Sequence, residues 1–177
     1  MNAGTIQLAR SSGGRREPVD REITIRSIDP ADGAGLSDFY ARLNPRSARQ
    51  RFLGAPPREP EVLSALADAA GVVAVLSERG PRDGEIVAHA SIHPDGRGGA
   101  EIAFAVADEL HGQGIGSRLM VAILARARRM GLHRVGAVLY VDNVPMRKLL
   151  VHSGRAVTAD ALEAGTEEIT LDLDRAA

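Results

Sequence analysis

The sequence has no cysteine, few aromatic residues and almost no net charge. Because none of its 177 residues is cysteine, disulfide bonds, thiolate metal ligands and a cysteine nucleophile are excluded. Aromatic residues make up 3% and tryptophan is absent, so we do not expect the stacked aromatic surface with which many proteins bind single-stranded nucleic acid. A net charge of −1 gives no general attraction to nucleic acid or to a membrane surface. No apolar run approaches the roughly 18 residues of a membrane span.

The length and the distribution of large apolar residues predict a single domain. A chain of 177 residues has the size of one ordinary domain. Residues 1–22 mix glycine, serine, arginine and glutamate with few large apolar side chains, so we predict a disordered N-terminal segment there. Residues 23–174 are predicted to form the single folded domain. The N-terminus lacks the apolar stretch of a secretory signal, which favours a cytoplasmic location.

Hydrophobic spacing divides the folded part of the chain into strands and helices. Short or alternating apolar runs predict strands at 23–28, 72–76, 86–92, 98–106, 135–141 and 168–173. Apolar residues at helical spacing predict helices at 30–43, 46–52, 62–69, 113–130 and 144–152. The three strands in the middle follow each other closely, which predicts an antiparallel meander. The sum is an α+β domain with a mixed, largely antiparallel sheet flanked by helices on both faces.

A glycine-rich stretch over residues 111–117, His-Gly-Gln-Gly-Ile-Gly-Ser, opens the long predicted helix. Glycine lets the backbone turn tightly and approach a ligand closely, and the free N–H groups at a helix N-terminus attract a phosphate or pyrophosphate. A Walker loop needs a lysine that does not follow Gly116, and a Rossmann fingerprint needs Gly-x-Gly-x-x-Gly instead of Gly-x-Gly-x-Gly. A glycine-rich helix start without a ligand is the remaining alternative.

The glycine-rich stretch and its neighbours resemble the acetyl-CoA-binding core of the GNAT superfamily of N-acetyltransferases. The segments that carry the resemblance are 101–106, 108–116 and Leu119-Met120, followed by 138–143. In the core motif of that superfamily, Gln/Arg-x-x-Gly-x-Gly/Ala, the three specified positions are occupied here by His111, Gly114 and Gly116. The resemblance covers residues 23–174 and therefore implies a GNAT-like fold for nearly the whole chain.

Within the superfamily, the chain looks closest to the bacterial Pat-type protein lysine acetyltransferases. The supporting features are the early segment 45–52, the glutamate in the strand before the loop, and an Asn-x-x-Met-x-x-Leu spacing that begins at Asn143. Many superfamily members place a tyrosine as general acid where Leu150 stands, but a thiolate with a pKa near about 8.5 leaves without much help. Tyr140 is an alternative donor, although packing is its simpler role.

The resemblance implies that acetyl-CoA is the co-substrate and that named residues bind it. Asn143 would face the reactive end of acetyl-CoA, although asparagine is also an ordinary residue at the start of a helix. Backbone groups would pair with the pantetheine arm at Phe104, Ala105 and Val106. Backbone amides would hold the pyrophosphate at Gly112, Gln113, Gly114, Ile115, Gly116 and Ser117.

Glu101 is the candidate catalytic base. An amine attacks a thioester only when it is unprotonated, and a free lysine has a pKa of about 10.4. A carboxylate can remove that proton directly or through a water molecule. Strand alternation puts Glu101 on the same face as Ala103 and Ala105, whose small side chains leave room for a ligand. Apolar neighbours would raise the carboxyl pKa. A surface glutamate on an edge strand is the alternative, whereas Pat-type enzymes carry a catalytic glutamate at the matching place.

Two further groups of residues carry weaker signals. Four arginines are predicted to form either a solvated basic face or a surface that attracts the adenosine 3′-phosphate or an acidic partner. They are Arg46, Arg49, Arg51 and Arg58. His89 and His93 lie four residues apart on a predicted strand, so they do not share a helical face, and no metal site is predicted.

Taken together, the sequence predicts an acyl-CoA-dependent N-acetyltransferase that transfers an acetyl group to an amine, most of all to a protein lysine. A small-molecule amine is the alternative acceptor. A non-catalytic acyl-CoA-binding regulatory module is the alternative of another class, and a nucleotide-binding switch is a distant third. We expect no metal, nucleic-acid partner or membrane partner, and the oligomeric state is not predicted.

Overall fold

One sheet of eight strands organises the part of the chain that the computed structural model describes, which is residues 5–7, 22–77, 81–153, 156–162 and 165–174. The strands are β1 (Thr5–Gln7), β2 (Glu22–Ser27), β3 (Ala70–Ser77), β4 (Ile86–Pro94), β5 (Gly99–Val106), β6 (Arg134–Tyr140), β7 (Ala156–Ala161) and β8 (Thr166–Asp172). Their order is β1-β2-β3-β4-β5-β6-β8-β7. Within this described sheet, β5 and β6 run parallel and the other neighbours are antiparallel. The predicted meander is therefore confirmed.

Five α-helices connect the strands, and their ends follow local sequence signals. They are α1 (Gly33–Ala41), α2 (Pro45–Phe52), α3 (Pro60–Ser64), α4 (Ile115–Arg129) and α5 (Val144–Val151). The side chain of Asn44 accepts a hydrogen bond from the Ser47 amide and caps α2. Gly131 follows α4 with a φ of 75°, a left-handed conformation that ends helices and suits glycine. None of the helices in these ranges is both long and apolar enough to cross a membrane.

Both faces of the sheet are covered by helices. Residues 86–92 of β4 are all buried, and because neighbouring strand residues point to opposite faces, neither face of this strand meets solvent. On one face, Tyr40 of α1 and Arg51 of α2 reach polar groups of β4. On the other face, α4 packs against β3 and β4. The predicted α+β class, with a largely antiparallel sheet between helices, is confirmed.

The apolar stripe predicted on α4 forms much of the core. Its members are Ile115, Leu119, Ile123, Leu124 and Ala127, and all of them are buried. Complete burial of one large aliphatic side chain is worth roughly 1.5–3 kcal/mol relative to leaving it in water. The stripe therefore attaches α4, and with it the glycine-rich stretch at its start, firmly to the sheet.

Two edge strands depart from the sequence expectations. Thr5–Gln7 pairs with β2, so the disorder expected for residues 1–22 is corrected at these positions, while residues 1–4 and 8–21 lie outside the described residues. β7 was not predicted and pairs with β8. The physical reason is common to both strands. A sheet edge offers unpaired N–H and C=O groups, and this backbone pairing needs no hydrophobic alternation that a sequence would reveal. The prediction of one domain over 23–174 stays a prediction.

His89 of β4 carries a buried side chain that lies between the sheet and α1. His89 has no exposed surface, and its Nδ1 lies 2.7 Å from the Tyr40 hydroxyl. That hydroxyl accepts a hydrogen bond from Nε of Arg51 at 3.0 Å, so its own proton is available for His89. Burial, aided by the positive charge of Arg51, lowers the pKa of His89 to about 3. The imidazole is therefore neutral in the folded protein.

We predict that acid destabilises the fold through His89. Between its folded pKa of about 3 and an ordinary value near 6.5, the unfolded chain binds one proton more than the folded chain. The free energy of unfolding must then rise with pH in this window, by up to about 1.4 kcal/mol per pH unit from this residue. Urea denaturation over the window should show a smaller slope for His89→Gln. His133→Gln, an exposed control, should keep the wild-type slope, and an unchanged slope in His89→Gln would contradict the prediction.

Candidate active site

The pairing of β5 with β6 stops early and leaves an opening in the sheet. The two strands pair only where Gly99, Ala100 and Glu101 face residues 134–136. Beyond that point, β5 stays paired with β4 as far as Val106, and β6 stays paired with β8. The facing edges of β5 and β6 therefore carry backbone groups without a strand partner in the described sheet. Such an edge can hydrogen-bond an extended ligand in the way that a strand would.

The glycine-rich loop lies at the wide end of this opening. Gly112 and Gly114 have φ values of 76° and 77°, which glycine adopts without strain. No side chain caps the start of α4, so its first amide groups have no side-chain acceptor there. Residues 111–114 and Ser117 are exposed, whereas the Ile115 side chain is buried, and only its backbone can meet a ligand. An exposed, uncapped helix start fits an anionic group.

His111 and Gln113 hold this loop against the end of β5. Nε2 of His111 lies 2.9 Å from the carbonyl oxygen of Val106, to which it can donate a hydrogen bond. The Gln113 side-chain amide donates to the Glu109 carbonyl at 3.3 Å. The histidine that replaces the glutamine or arginine of the core motif therefore fixes the loop to the strand through the backbone.

Glu101 lies at the closed end of the opening, where the pairing of β5 with β6 ends. In register, it stands opposite His93 of β4 and Gly136 of β6. Its side chain is exposed, Ala103 is half-buried and Ala105 is buried. The expected apolar surrounding is therefore corrected, because the carboxylate projects past these alanines to solvent and faces a histidine. The sequence pattern identified which face of β5 carries Glu101, but not how much of that face is covered by other parts of the protein.

Asn143 and α5 form the opposite rim. The Asn143 side-chain oxygen accepts a hydrogen bond from the Met146 amide at 3.2 Å and so caps α5. Asn143 lies three residues after the end of β6, at the wide part of the opening. Leu150, which stands at the tyrosine position of many relatives, is buried in the core. No proton donor comes from that position.

Helix α2 lies across the opening, and Asp108 fixes its start. The Asp108 carboxylate accepts hydrogen bonds from the Asn44 backbone amide at 2.8 Å, the Asn44 side-chain amide at 2.7 Å and the Ser47 hydroxyl at 2.5 Å. Farther along α2, the Arg49 guanidinium lies 3.8 Å above the ring of Tyr140 at the end of β6. The helix is thus attached to the segment that follows β5 and to the end of β6, and Tyr140 has a packing role.

The predicted arginine cluster does not form one basic face. Arg49 stacks on Tyr140, and Arg46 is exposed with Asp142 4.0 Å away. Arg51 turns toward the sheet and donates hydrogen bonds to Tyr40 and Ser91. Sequence reasoning treated these arginines alike because their side-chain directions depend on the docking of α2. It also missed Asp108 as the anchor of that helix.

No group of three or more histidine, aspartate or glutamate side chains in the described ranges comes close enough together to hold a metal ion. His89 and His93 lie on the same face of β4, but each has its own hydrogen-bond partner, Tyr40 and Ser91 respectively.

A known family shares this arrangement. The model of the Acetyltransferase (GNAT) family matches residues 39–154, a range that contains the opening, the glycine-rich loop and α2. The chain belongs to the GNAT acetyltransferase family. The reaction of this family is the acetyl-CoA-dependent acetylation of amines, so the predicted class of acyl-CoA-dependent N-acetyltransferase is confirmed at the level of the family.

Individual relatives agree with this assignment. The acetyltransferase Pat of Mycolicibacterium smegmatis is 38% identical over 73 residues, which are 40% of this chain and 22% of that protein. The match thus spans about a fifth of the curated relative's length. The crystal structure of the GNAT domain of S. lividans PAT has a TM-score of 0.74 and 24% identity, covering 96% of each chain. The predicted GNAT-like fold and the likeness to Pat-type proteins are confirmed.

A second solved structure carries the family's co-substrate. The structure of yncA from Salmonella typhimurium, solved with its cofactor acetyl-CoA, has a TM-score of 0.67 and 22% identity. It covers 88% of this chain and 96% of the other. At this identity the likeness shows a shared fold.

We predict that Asp108→Ala loosens α2 and destabilises the protein. The change leaves the Asn44 and Ser47 donors without their acceptor, which should lower the free energy of unfolding by about 2 kcal/mol. Asp38→Ala, an exposed position on α1, is the matched control and should cost less than about 0.5 kcal/mol. Urea denaturation measures both variants, and equal stability of the two would contradict the anchoring role.

Proposed function

We propose that this chain is an N-acetyltransferase that transfers the acetyl group of acetyl-CoA to a protein lysine, with Glu101 as the general base. The observation that carries the proposal is the opening between β5 and β6, which starts at a glycine-rich loop and closes at an exposed carboxylate. A cytoplasmic site of action, where acetyl-CoA is available, is part of the proposal.

The opening suggests how acetyl-CoA would lie. The backbone amides of Gly112, Gln113, Gly114, Ile115, Gly116 and Ser117 would hold the pyrophosphate, and backbone groups of Phe104, Ala105 and Val106 would pair with the pantetheine arm. Asn143 would face the arm from the opposite rim. Because an extended strand rises about 3.4 Å per residue, the distance from Val106 to Glu101 is about 17 Å. A ligand held by its phosphates at the loop would therefore bring its acyl end toward Glu101.

The reaction needs a proton acceptor at that end. The lysine amine attacks the thioester carbonyl carbon, a C–N bond forms, the C–S bond breaks, and coenzyme A leaves as a thiolate. Glu101 accepts the proton that the amine must lose, directly or through one water molecule. The leaving thiolate needs little acid assistance, which agrees with the burial of Leu150 at the tyrosine position.

Two observations support a lysine on another protein as the acceptor. The Glu101 side chain is exposed, so a long side chain that projects from a partner surface can reach it. The resemblance of the sequence to Pat-type protein lysine acetyltransferases points in the same direction. An acceptor enclosed as a small molecule would need a covered pocket around Glu101, whereas the carboxylate here lies open to solvent.

We predict that Gly114→Ala weakens acetyl-CoA binding. A side chain at a φ of 77° costs about 1–2 kcal/mol, and relaxation of the loop would turn its amides away from the phosphates. The dissociation constant measured by calorimetry should rise roughly tenfold. Gly131→Ala places the same strain, at a φ of 75°, at the other end of α4. This control should lose stability but keep its affinity, and equal affinities would argue against the loop as the phosphate site.

We predict that Glu101→Gln removes catalysis while acetyl-CoA still binds. Loss of a general base should lower kcat by about 10²- to 10⁴-fold. Release of free coenzyme A, measured against a panel of protein lysines and small amines, tests the base and the acceptor together. Glu61→Gln, an exposed change on α3, should retain full activity. Wild-type turnover on small amines alone would replace the lysine proposal, and acetyl-CoA binding without turnover on any amine would favour a regulatory module.

A further inference from the structure

A row of polar side chains leads from the interior to Glu101 on one face of the sheet. Directly opposed residues of antiparallel strands point to the same face, and the register sets Ser91 opposite Ala103 and His93 opposite Glu101. Side chains directly opposite each other have their Cβ atoms about 4.5–5.5 Å apart. His93 is therefore the β4 side chain that lies beside the proposed base.

The donor and acceptor of each hydrogen bond between Arg51, Ser91 and His93 can be assigned. The Arg51 guanidinium, which can only donate, donates to the Ser91 hydroxyl oxygen at 3.1 Å. The same oxygen lies 3.0 Å from Nε2 of His93. Since Ser91 is fully buried, its hydroxyl proton needs an acceptor, and Nε2 of a neutral imidazole supplies one. A neutral ring that accepts at Nε2 carries its proton on Nδ1.

We propose that His93 is a positioning residue: its Nδ1–H, which is not bonded to Glu101 in the described structure, donates a hydrogen bond to the carboxylate when the exposed Glu101 side chain turns toward it, and so holds that carboxylate toward the incoming amine. The inference rests on the proposed role of Glu101 as base. An exposed glutamate otherwise samples several rotamers, and a fixed donor restricts it to one. Arg51 and Ser91 fix the ring orientation and tautomer from behind, as the third group of a catalytic triad does, although here the hydrogen bond is donated to the ring and not accepted from it.

The electrostatics of this face agree with a neutral ring. Partial burial, followed by the positive charge of Arg51, lowers the pKa of His93, while the Glu101 carboxylate acts in the opposite direction. The residue as a whole is exposed, but its Nε2 edge is turned inward to the buried serine. Other titratable groups on this face include Tyr40 of α1, His89 of β4 and Glu168 of β8, and Tyr140 of β6 with Arg49 of α2 stacked on its ring. The Glu168 carboxylate lies over Gly136. A Cβ atom added to Gly136 would be only 2.6 Å from the Glu168 Oε1 atom.

The proposal predicts a specific change in the pH profile. A hydrogen bond to the ionised carboxylate favours its charged form. Loss of that bond should move the acid limb of kcat/KM to higher pH by roughly one unit, and lower kcat roughly tenfold. A residue with a purely structural role would lower the amount of active enzyme and leave the limb in place.

The experiment compares three variants of the full chain with acetyl-CoA and a lysine peptide. His93→Leu should lower kcat and shift the acid limb, and His93→Asn, whose amide can donate from nearly the same place as Nδ1, should restore much of both. His152→Leu, an exposed histidine on the surface of the domain, serves as the control and should match the wild type. A wild-type profile for His93→Leu, or equal defects in His93→Leu and His93→Asn, would overturn the proposal.

A double variant separates this inference from the proposed function. Because His93 acts through Glu101, His93→Leu should have no additional effect in the Glu101→Gln background. If Glu101→Gln alone is fully active, the proposed base is wrong. If Glu101→Gln is inactive while His93→Leu keeps the wild-type profile, the base stands and only the positioning role fails.

Discussion

The early end of the pairing between β5 and β6 is the feature on which the site depends. Two parallel neighbours share a ladder as far as Glu101 and Gly136, and then each continues with a different partner. This separation leaves unpaired backbone edges in the middle of a sheet that is otherwise continuously paired. It also sets the polarity of the opening, with the glycine-rich loop at one end and a carboxylate at the other. A continuous ladder would remove both the edge and the space for an extended ligand.

The packing of α4 fixes the position of the glycine-rich loop relative to the opening. The α4 stripe is buried against the sheet, so the exposed amides at the start of the helix have a defined position relative to β5. Asp108 lies between the strand and the loop and binds the start of α2. One carboxylate therefore ties the helix above the opening to the loop at its wide end, which couples the positions of the two sides of the site.

Polar groups in the sheet interior set a second constraint. Burying polar atoms is costly unless they find partners, and α1 and α2 supply partners for Nδ1 of His89 and the Ser91 hydroxyl through Tyr40 and Arg51. The two helices are thus held to β4 by directional bonds in addition to apolar packing. The same bonds end at His93, beside Glu101. The stability of this face and the chemistry at its edge therefore depend on one set of contacts.

Much of the candidate site could be placed on its strands and helices from the sequence, because its signals are local. The glycines of the loop, the strand that carries Glu101 and the amphipathic helix behind them lie within about thirty residues of one another, and each leaves a periodic or compositional mark. Asn143 was recognisable as a helix start for the same reason. The roles of Arg51 and Asp108 could not be found in this way. Arg51 meets Ser91, and Asp108 meets Asn44, only after distant segments have docked.

The sequence by itself determined the helices, the central strands, the glycine-rich loop at the start of α4 and the family to which the chain belongs. These properties follow from spacing over a few residues, where backbone geometry and burial dictate the pattern. Only the tertiary structure decided where β5 and β6 part, which edges β1 and β7 occupy, and which side chains face Glu101. Those features depend on strand register and helix docking between segments far apart in the chain. No local pattern specifies such contacts, because they are the joint result of packing the whole domain.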